Sequence, residues 1–170
     1  MELMEFDSNF RQSTLELICY LQNYERKLTL GEFNERPPGS EIADKQLNYL
    51  VNATNNEQSA FYLAIENNRA VGLIVLFVES EPIGTHHLSL AFLRYALVSD
   101  FVVAPDYQGK GVADILMAQA ERFALDNDLP SVRLSVLANN QLARSYYERY
   151  GFNAYEITYS KAVPHKNEKA

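Results

Sequence analysis

Two glycines, Gly109 and Gly111, stand between an apolar run ending at Val103 and a helical pattern opening at Val112. The chemistry such a junction can do is anion binding. N–H groups in the first turn of a helix lack internal partners, and the helix dipole adds partial positive charge there. A residue without a Cβ lets a phosphate reach the main chain. On the glycines alone, a tight turn that binds nothing is an equal reading. Two well-known phosphate loops are excluded by the residues themselves. Val112-Ala113 follows Gly111 where a Walker loop carries Lys-Ser or Lys-Thr, and Asp114 stands where the dinucleotide pattern needs its third glycine.

Other reactive types are scattered more thinly. Asp100 is a carboxylate inside an apolar run, so burial there calls for a partner or a raised pKa. A structural aspartate bonded to neighbouring backbone N–H groups fits it equally well. Asn140 and Tyr147 lie seven residues apart, hence on one helix face two turns from each other. By spacing alone, Tyr147 is one of three tyrosines packing on its helix. Cys19 has apolar neighbours and no His or Lys in its own helical turn, so it reads as a packed, inert thiol. His86 and His87 point apart on an extended chain, with no carboxylate or cysteine at ligand spacing, and no metal site is expected.

Gln108-Gly-Lys-Gly111-Val-Ala113 resembles the Q/R-x-x-G-x-G/A signature of the GNAT-type N-acetyltransferases, which hold the pyrophosphate of acetyl-CoA on this turn. Asn140-Gln-Leu-Ala143-Arg-Ser-Tyr-Tyr147-Glu-Arg-Tyr-Gly151-Phe152 looks like the family's second signature, matching at the Asn, Ala, Tyr and closing Gly-Phe. The close likeness covers residues 95–155. It implies an α/β (α+β) fold, a single acetyltransferase domain over residues 1–170 whose mixed central sheet is flanked by helices, with a polar tail at 160–170. It also implies acetyl-CoA as cosubstrate, no metal, and transfer of the acetyl group directly to a primary amine of a small molecule or protein. Direct attack leaves Cys19 no part as nucleophile.

The resemblance further implies where the work is done. Gln108, Gly109, Lys110, Gly111, Val112 and Ala113 would hold the pyrophosphate, and the backbone of Phe101, Val102 and Val103 would pair with the pantetheine arm as an added strand does. That slot would open between this strand and the next. Asn140 would bond the pantetheine, cap its helix, or do both. Tyr147 would stand near the sulfur as general acid, and Asp100, or a water near it with Ser99 as weaker holder, would take the amine proton. Glu32, Phe33, Glu35 and Arg36, between the first two helices, would border the acceptor. Two readings compete: a CoA-binding module of the same fold without turnover, and a nucleotide-phosphate binder unrelated to acetyl transfer.

The elements that must position these groups follow from pattern. The chain has 170 residues, 47% of them hydrophobic, enough for one sizeable core. A net charge of −7 argues against a general nucleic-acid binder, and one cysteine excludes an internal disulfide framework. No window approaches a membrane span, and the opening Met-Glu-Leu-Met-Glu-Phe-Asp lacks a basic signal region, so the cytoplasm is the expected compartment. Association into a homodimer is left open.

A short strand is expected within residues 1–6, then a helix capped by Asp7 or Ser8, a proline-rich loop at 31–40, and a helix over 41–51 capped by Ser40. A hairpin turning at Glu66-Asn-Asn-Arg69 leads into a buried strand over 71–78, in which Gly72 marks a close approach. The strand over 95–103 precedes the glycine turn and a helix with Val112, Ile115, Leu116, Ala120, Phe123 and Ala124 on its apolar face. A parallel strand over 131–137, a helix capped by Asn139 or Asn140 and ended by Gly151, and a strand over 152–159 complete the chain. The family's further closing strand finds too few residues after Tyr159.

Overall fold

The computed structural model describes residues 1–29, 36–82, 84–89 and 92–161. Five strands lie in sequence order across one sheet: β1 (Glu2–Glu5), β2 (Ser59–Glu66), β3 (Arg69–Ser80), β4 (Arg94–Val103) and β5 (Val132–Leu134). The first four pair antiparallel, and β5 joins β4 in parallel after a helical crossover, so the sheet is mixed. Helices α1 (Arg11–Thr29) and α2 (Gly39–Ala53) cover one face; α3 (Val112–Asp126) and α4 (Gln141–Tyr150) cover the other.

Strand alternation sorts the side chains between the two faces. Along β2, Phe61, Leu63 and Ile65 enter the α1–α2 core with Leu17, Ile18 and Leu47, while Ala60 and Ala64 enter the α3 core. Each fully buried Leu or Ile contributes about 1.5–3 kcal/mol, so both cores hold the sheet between them. The β2–β3 turn has Asn67 and Asn68 at φ 50° and 58°, the left-handed pair a two-residue hairpin requires. Gly72 on β3 faces α3, where a Cβ would stand 2.9 Å from both Leu116 Cδ1 and Val112 Cγ1. Its close neighbours are thus chiefly helix side chains.

Four sequence expectations change. α2 begins at Gly39, after Pro38, and Ser40 is not its cap. A Cβ on Gly39 would run into the Cys19 carbonyl, and the Gly39 N–H donates to Asn23 Oδ1 at 2.9 Å, so contact with α1 fixes where α2 starts. On α3, Ile115 is exposed and Met117 is buried in its place, because the buried stripe centres on Leu116 and Ala120. β5 keeps only three of the seven residues expected, since its ladder with β4 ends at Val98 and Leu134. Residues 152–159 form no strand: Tyr155, Ile157 and Tyr159 alternate as a strand would, yet three residues of β5 give no edge long enough to pair with, and they stay exposed. Residues 30–35 and 162–170, which include Glu32, Phe33, Glu35 and most of the polar tail, lie outside the described residues.

Candidate functional site

The site starts from one extra residue in β4. Leu76 of β3 pairs with Val98 and Val75 with Asp100, which leaves Ser99 opposite nothing. Such a bulge reverses the phase of the strand. Ala96 and Val98 face the α3 core, and so do Phe101 and Val103, whereas Val102 faces the α1–α2 core. Asp100 falls on the α2 side, where Gln46 of α2 donates from Nε2 to its Oδ1 at 3.3 Å and Ser99 Oγ bonds its Oδ2 at 2.9 Å. Beyond Val98 and Leu134 the paired strands separate.

That divergence opens a cleft of about 930 Å³. One wall is the free edge of β4. The Ala104 N–H donates to Val71 O at 2.8 Å, toward β3, so by strand alternation the polar groups of Val103 and Phe101 point to the open side. Val102 turns its backbone toward β3. At the end of β4, a short 3-10 turn (Pro105–Tyr107) leads into the glycine turn, with Gly109 at φ 74° and Gly111 at φ 81°. Gly111 is the N-cap of α3 and supplies no side chain to the helix's first N–H groups. A Cβ added at either glycine meets no atom within 4 Å, so open space lies over the turn. This is the cradle a phosphate needs.

Gln108, Gly109, Gly111 and Ala113 line the cleft. Lys110 and Val112 do not: Lys110 is exposed with its Nζ 5.0 Å from the Tyr107 ring centre, and Val112 is buried in the α3 core. Asn140 caps α4, accepting the Ala143 N–H on Oδ1 at 3.2 Å, and Gly151 ends it at φ 108°. Tyr147 reaches the cleft from α4, its ring against Phe101 and Phe152. His86 and His87 are exposed in the β3–β4 connection, and Cys19 lies half-buried on α1; none of them lines the cleft.

The opposite wall is α1, on which the sequence marked no site residue. Tyr20, Tyr24 and Glu25 line the cleft with Gln46 of α2. Tyr20 and Tyr24 stack at 6.2 Å, and their only sequence signal is a helical spacing of four. Glu25 Oε2 lies 2.6 Å from Arg36 Nη1, which brings Arg36, of the four loop residues singled out, to the cleft.

Burial governs the electrostatics. It pushes Asp100 above the usual carboxylate range, partly opposed by the bonds from Ser99 and Gln46. It raises Glu25 too, against the pull of the Arg36 guanidinium and with the added repulsion of Asp100. Burial, then the charge of Glu25, push the Tyr147 phenol up to about 12. The cleft therefore offers a proton-holding phenol, two carboxylates inclined to accept protons, a free strand edge and an anion cradle.

Known proteins share this fold. The sequence model of the acetyltransferase (GNAT) family matches residues 21–152. Streptothricin acetyltransferase of Escherichia coli is 29% identical over 132 residues, 76% of this chain and 69% of that one. Among solved structures, the aminoglycoside 6'-N-acetyltransferase AAC(6')-IG of Acinetobacter haemolyticus superposes with a TM-score of 0.66 at 16% identity, over 96% of this chain and all of that one. AAC(6')-Iy, in complex with the bisubstrate analog CoA-S-monomethyl-acetylneamine, gives 0.62 at 15% identity, over 95% of this chain and 98% of that one. At such identities the two structures speak for the fold.

Proposed function

The chain belongs to the acetyltransferase (GNAT) family, and from that premise we propose that it moves an acetyl group from acetyl-CoA directly onto a primary amine. The observation that carries this reading is the slot itself. It runs from a glycine cradle, along a strand edge that no neighbouring strand pairs, where Gln108 Nε2 donates to Val103 O at 3.3 Å, to a buried phenol. Relatives named for streptothricin and aminoglycosides make small-molecule amines the first acceptors to try, with protein amino groups second. The same reading makes the chain one domain working in the cytoplasm. No helix among the described residues is long and apolar enough to cross a membrane.

Acetyl-CoA would supply the activated acyl group; the chain supplies the rest. N–H groups of Gly109, Gly111, Val112 and Ala113 hold the pyrophosphate, Val112 through backbone alone. The Gln108 and Lys110 N–H groups shape the turn by donating to Pro105 O at 3.4 Å and Tyr107 O at 3.3 Å. The main chain of Phe101 and Val103 pairs with the pantetheine amides, and Asn140 donates from its side-chain NH₂. Asp100, favoured as a base by its raised pKa, takes a proton from the acceptor's ammonium. The free amine forms the new C–N bond as the C–S bond breaks, and Tyr147 gives its proton to the departing sulfur. The second proton released by the nitrogen restores Tyr147. Glu25 and Arg36 border the amine's entrance.

Calorimetric titration of acetyl-CoA, with desulfo-CoA and ATP for comparison, tests the reading. Binding in the micromolar range for acetyl-CoA and none for ATP is expected. An amine panel scored by release of free thiol then identifies the acceptor. No acetyl-CoA binding would overturn the proposal, and binding without thiol release on any amine would leave a silent CoA module.

A further inference from the structure

Asn140 is 9% exposed, faces the cleft and opens α4. Its Oδ1 accepts twice, from the Ala143 N–H at 3.2 Å and from the Tyr24 hydroxyl at 3.3 Å. An amide oxygen has two lone pairs, so its accepting capacity is spent. The NH₂ keeps two donors, and neither meets an acceptor among the described residues. The backbone N–H selects the orientation, since a reversed amide would set donor against donor. It does not stop the side chain from swinging about that single bond.

We propose that Tyr24 is a positioning residue: its hydroxyl pins the Asn140 amide so that the NH₂ projects into the slot as a fixed donor to the pantetheine arm. The proposal rests on the acetyl-CoA reading above. Tyr24 is itself held, because its ring stacks on Tyr20 at 6.2 Å and the Tyr20 hydroxyl accepts from Gln108 Nε2 at 3.3 Å. One turn of α1 thus grips a side chain at each end of the slot, Gln108 beside the glycine cradle and Asn140 beside Tyr147. A donor already immobilised binds its acceptor without a further ordering cost. The contact joins residues 116 positions apart, so no local feature of the sequence announces it.

The test is Tyr24→Phe, which keeps the ring and removes the hydroxyl. Loss of one neutral hydrogen bond weakens acetyl-CoA binding about fivefold by calorimetry, with kcat within about twofold of wild type and the KM of the amine unchanged. A mere loosening of α1 would raise the amine KM as well, because Glu25 sits on the same helix. The second variant is Asn140→Ser, which keeps a capping oxygen and removes the NH₂. In that background Tyr24→Phe adds no further loss if Tyr24 acts through Asn140. An unchanged acetyl-CoA affinity in Tyr24→Phe, a parallel rise in the amine KM, or additive losses in the double variant would each overturn the proposal while leaving the function intact. A wild-type chain that fails to bind acetyl-CoA overturns both.

Discussion

Replacing Tyr147 by Phe separates two ways a phenol can help a thiolate leave. Burial and the charge of Glu25 push Tyr147 up to about 12, whereas an ordinary thiol titrates near ~8.5. Passing the proton to a fully formed thiolate would therefore run uphill by about 5 kcal/mol. Tyr147 gains most by hydrogen-bonding the charge as it grows on sulfur, and the transfer completes only as the nitrogen sheds its own proton. A hydrogen bond to a charged group is worth about 1.5–3 kcal/mol, so Tyr147→Phe lowers kcat by about 10- to 150-fold. That is less than the loss of a full proton donor would bring. The affinity for acetyl-CoA stays within about twofold, since the interaction exists only in the transition state. Thiol release at saturating substrates gives kcat, and calorimetry gives the affinity. The phenol stays protonated through pH 10, so the wild-type rate shows no basic limb from Tyr147 below that. A kcat within twofold of wild type would return Tyr147 to the packing role its neighbours Tyr146 and Tyr150 share. A basic limb near pH 9 that vanishes in the variant would refute the pKa argument.

Other perturbations probe the parts around it. Gly111→Ala puts a side chain at φ 81°, costing about 1–2 kcal/mol and about 2–8 °C in Tm, yet its Cβ clashes with nothing, so the chain folds while acetyl-CoA affinity falls. An affinity equal to wild type would detach the turn from the cofactor. Asp100→Asn cuts acetyl transfer at neutral pH while raising stability there. The raised carboxyl stabilises the fold only where it is protonated, and that contribution is lost as pH climbs through its folded pKa. Denaturant midpoints compared at pH 7 and pH 4 should show the variant's advantage shrinking at the lower pH. A variant less stable than wild type at pH 7 would contradict this. Gly72→Ala forces a methyl to within 2.9 Å of Leu116 and Val112 and lowers Tm by about 2–10 °C; an unchanged Tm would mean α3 yields without cost.

What could be read from the sequence was local. The glycine turn, the Asn140 cap, the Gly151 stop and the Asn67-Asn68 hairpin each depend on backbone geometry that a few adjacent residues dictate. The face of α1 that walls the cleft was not legible for the opposite reason. Tyr20, Tyr24 and Glu25 gain their meaning from Gln108, Asn140 and Arg36, and two of those partners are far along the chain. In the sequence they are aromatic and acidic residues on a helix whose buried stripe runs through Leu17 and Ile18, and nothing adjacent to them names those partners.

The bulge at Ser99 lies between these cases, because its signal was present and its consequence was not. A Ser-Asp pair interrupting an apolar strand marks a break in pattern, but a break in pattern does not say which way the phase turns. Without the bulge, the same residues in strict alternation would set Asp100 on the same face as Ala96 and Val98, among the apolar side chains packed beneath α3. Gln46 could not reach it there, and an unpaired carboxylate in that core would carry its full desolvation cost. With it, Asp100 meets Gln46 on the α2 side, and β4 parts from β5 at the next residue pair. The device that makes a buried carboxylate tolerable in this strand is therefore also the one that opens the slot beside it. Deleting Ser99 would leave Asp100 directly after Val98, with every side chain of β4 on its present face and Asp100 still toward Gln46. By denaturant midpoint the variant should therefore stay within about 1 kcal/mol of wild type, while acetyl-CoA affinity falls with the loss of the bulge beside the slot. An unchanged affinity would detach the bulge from the slot.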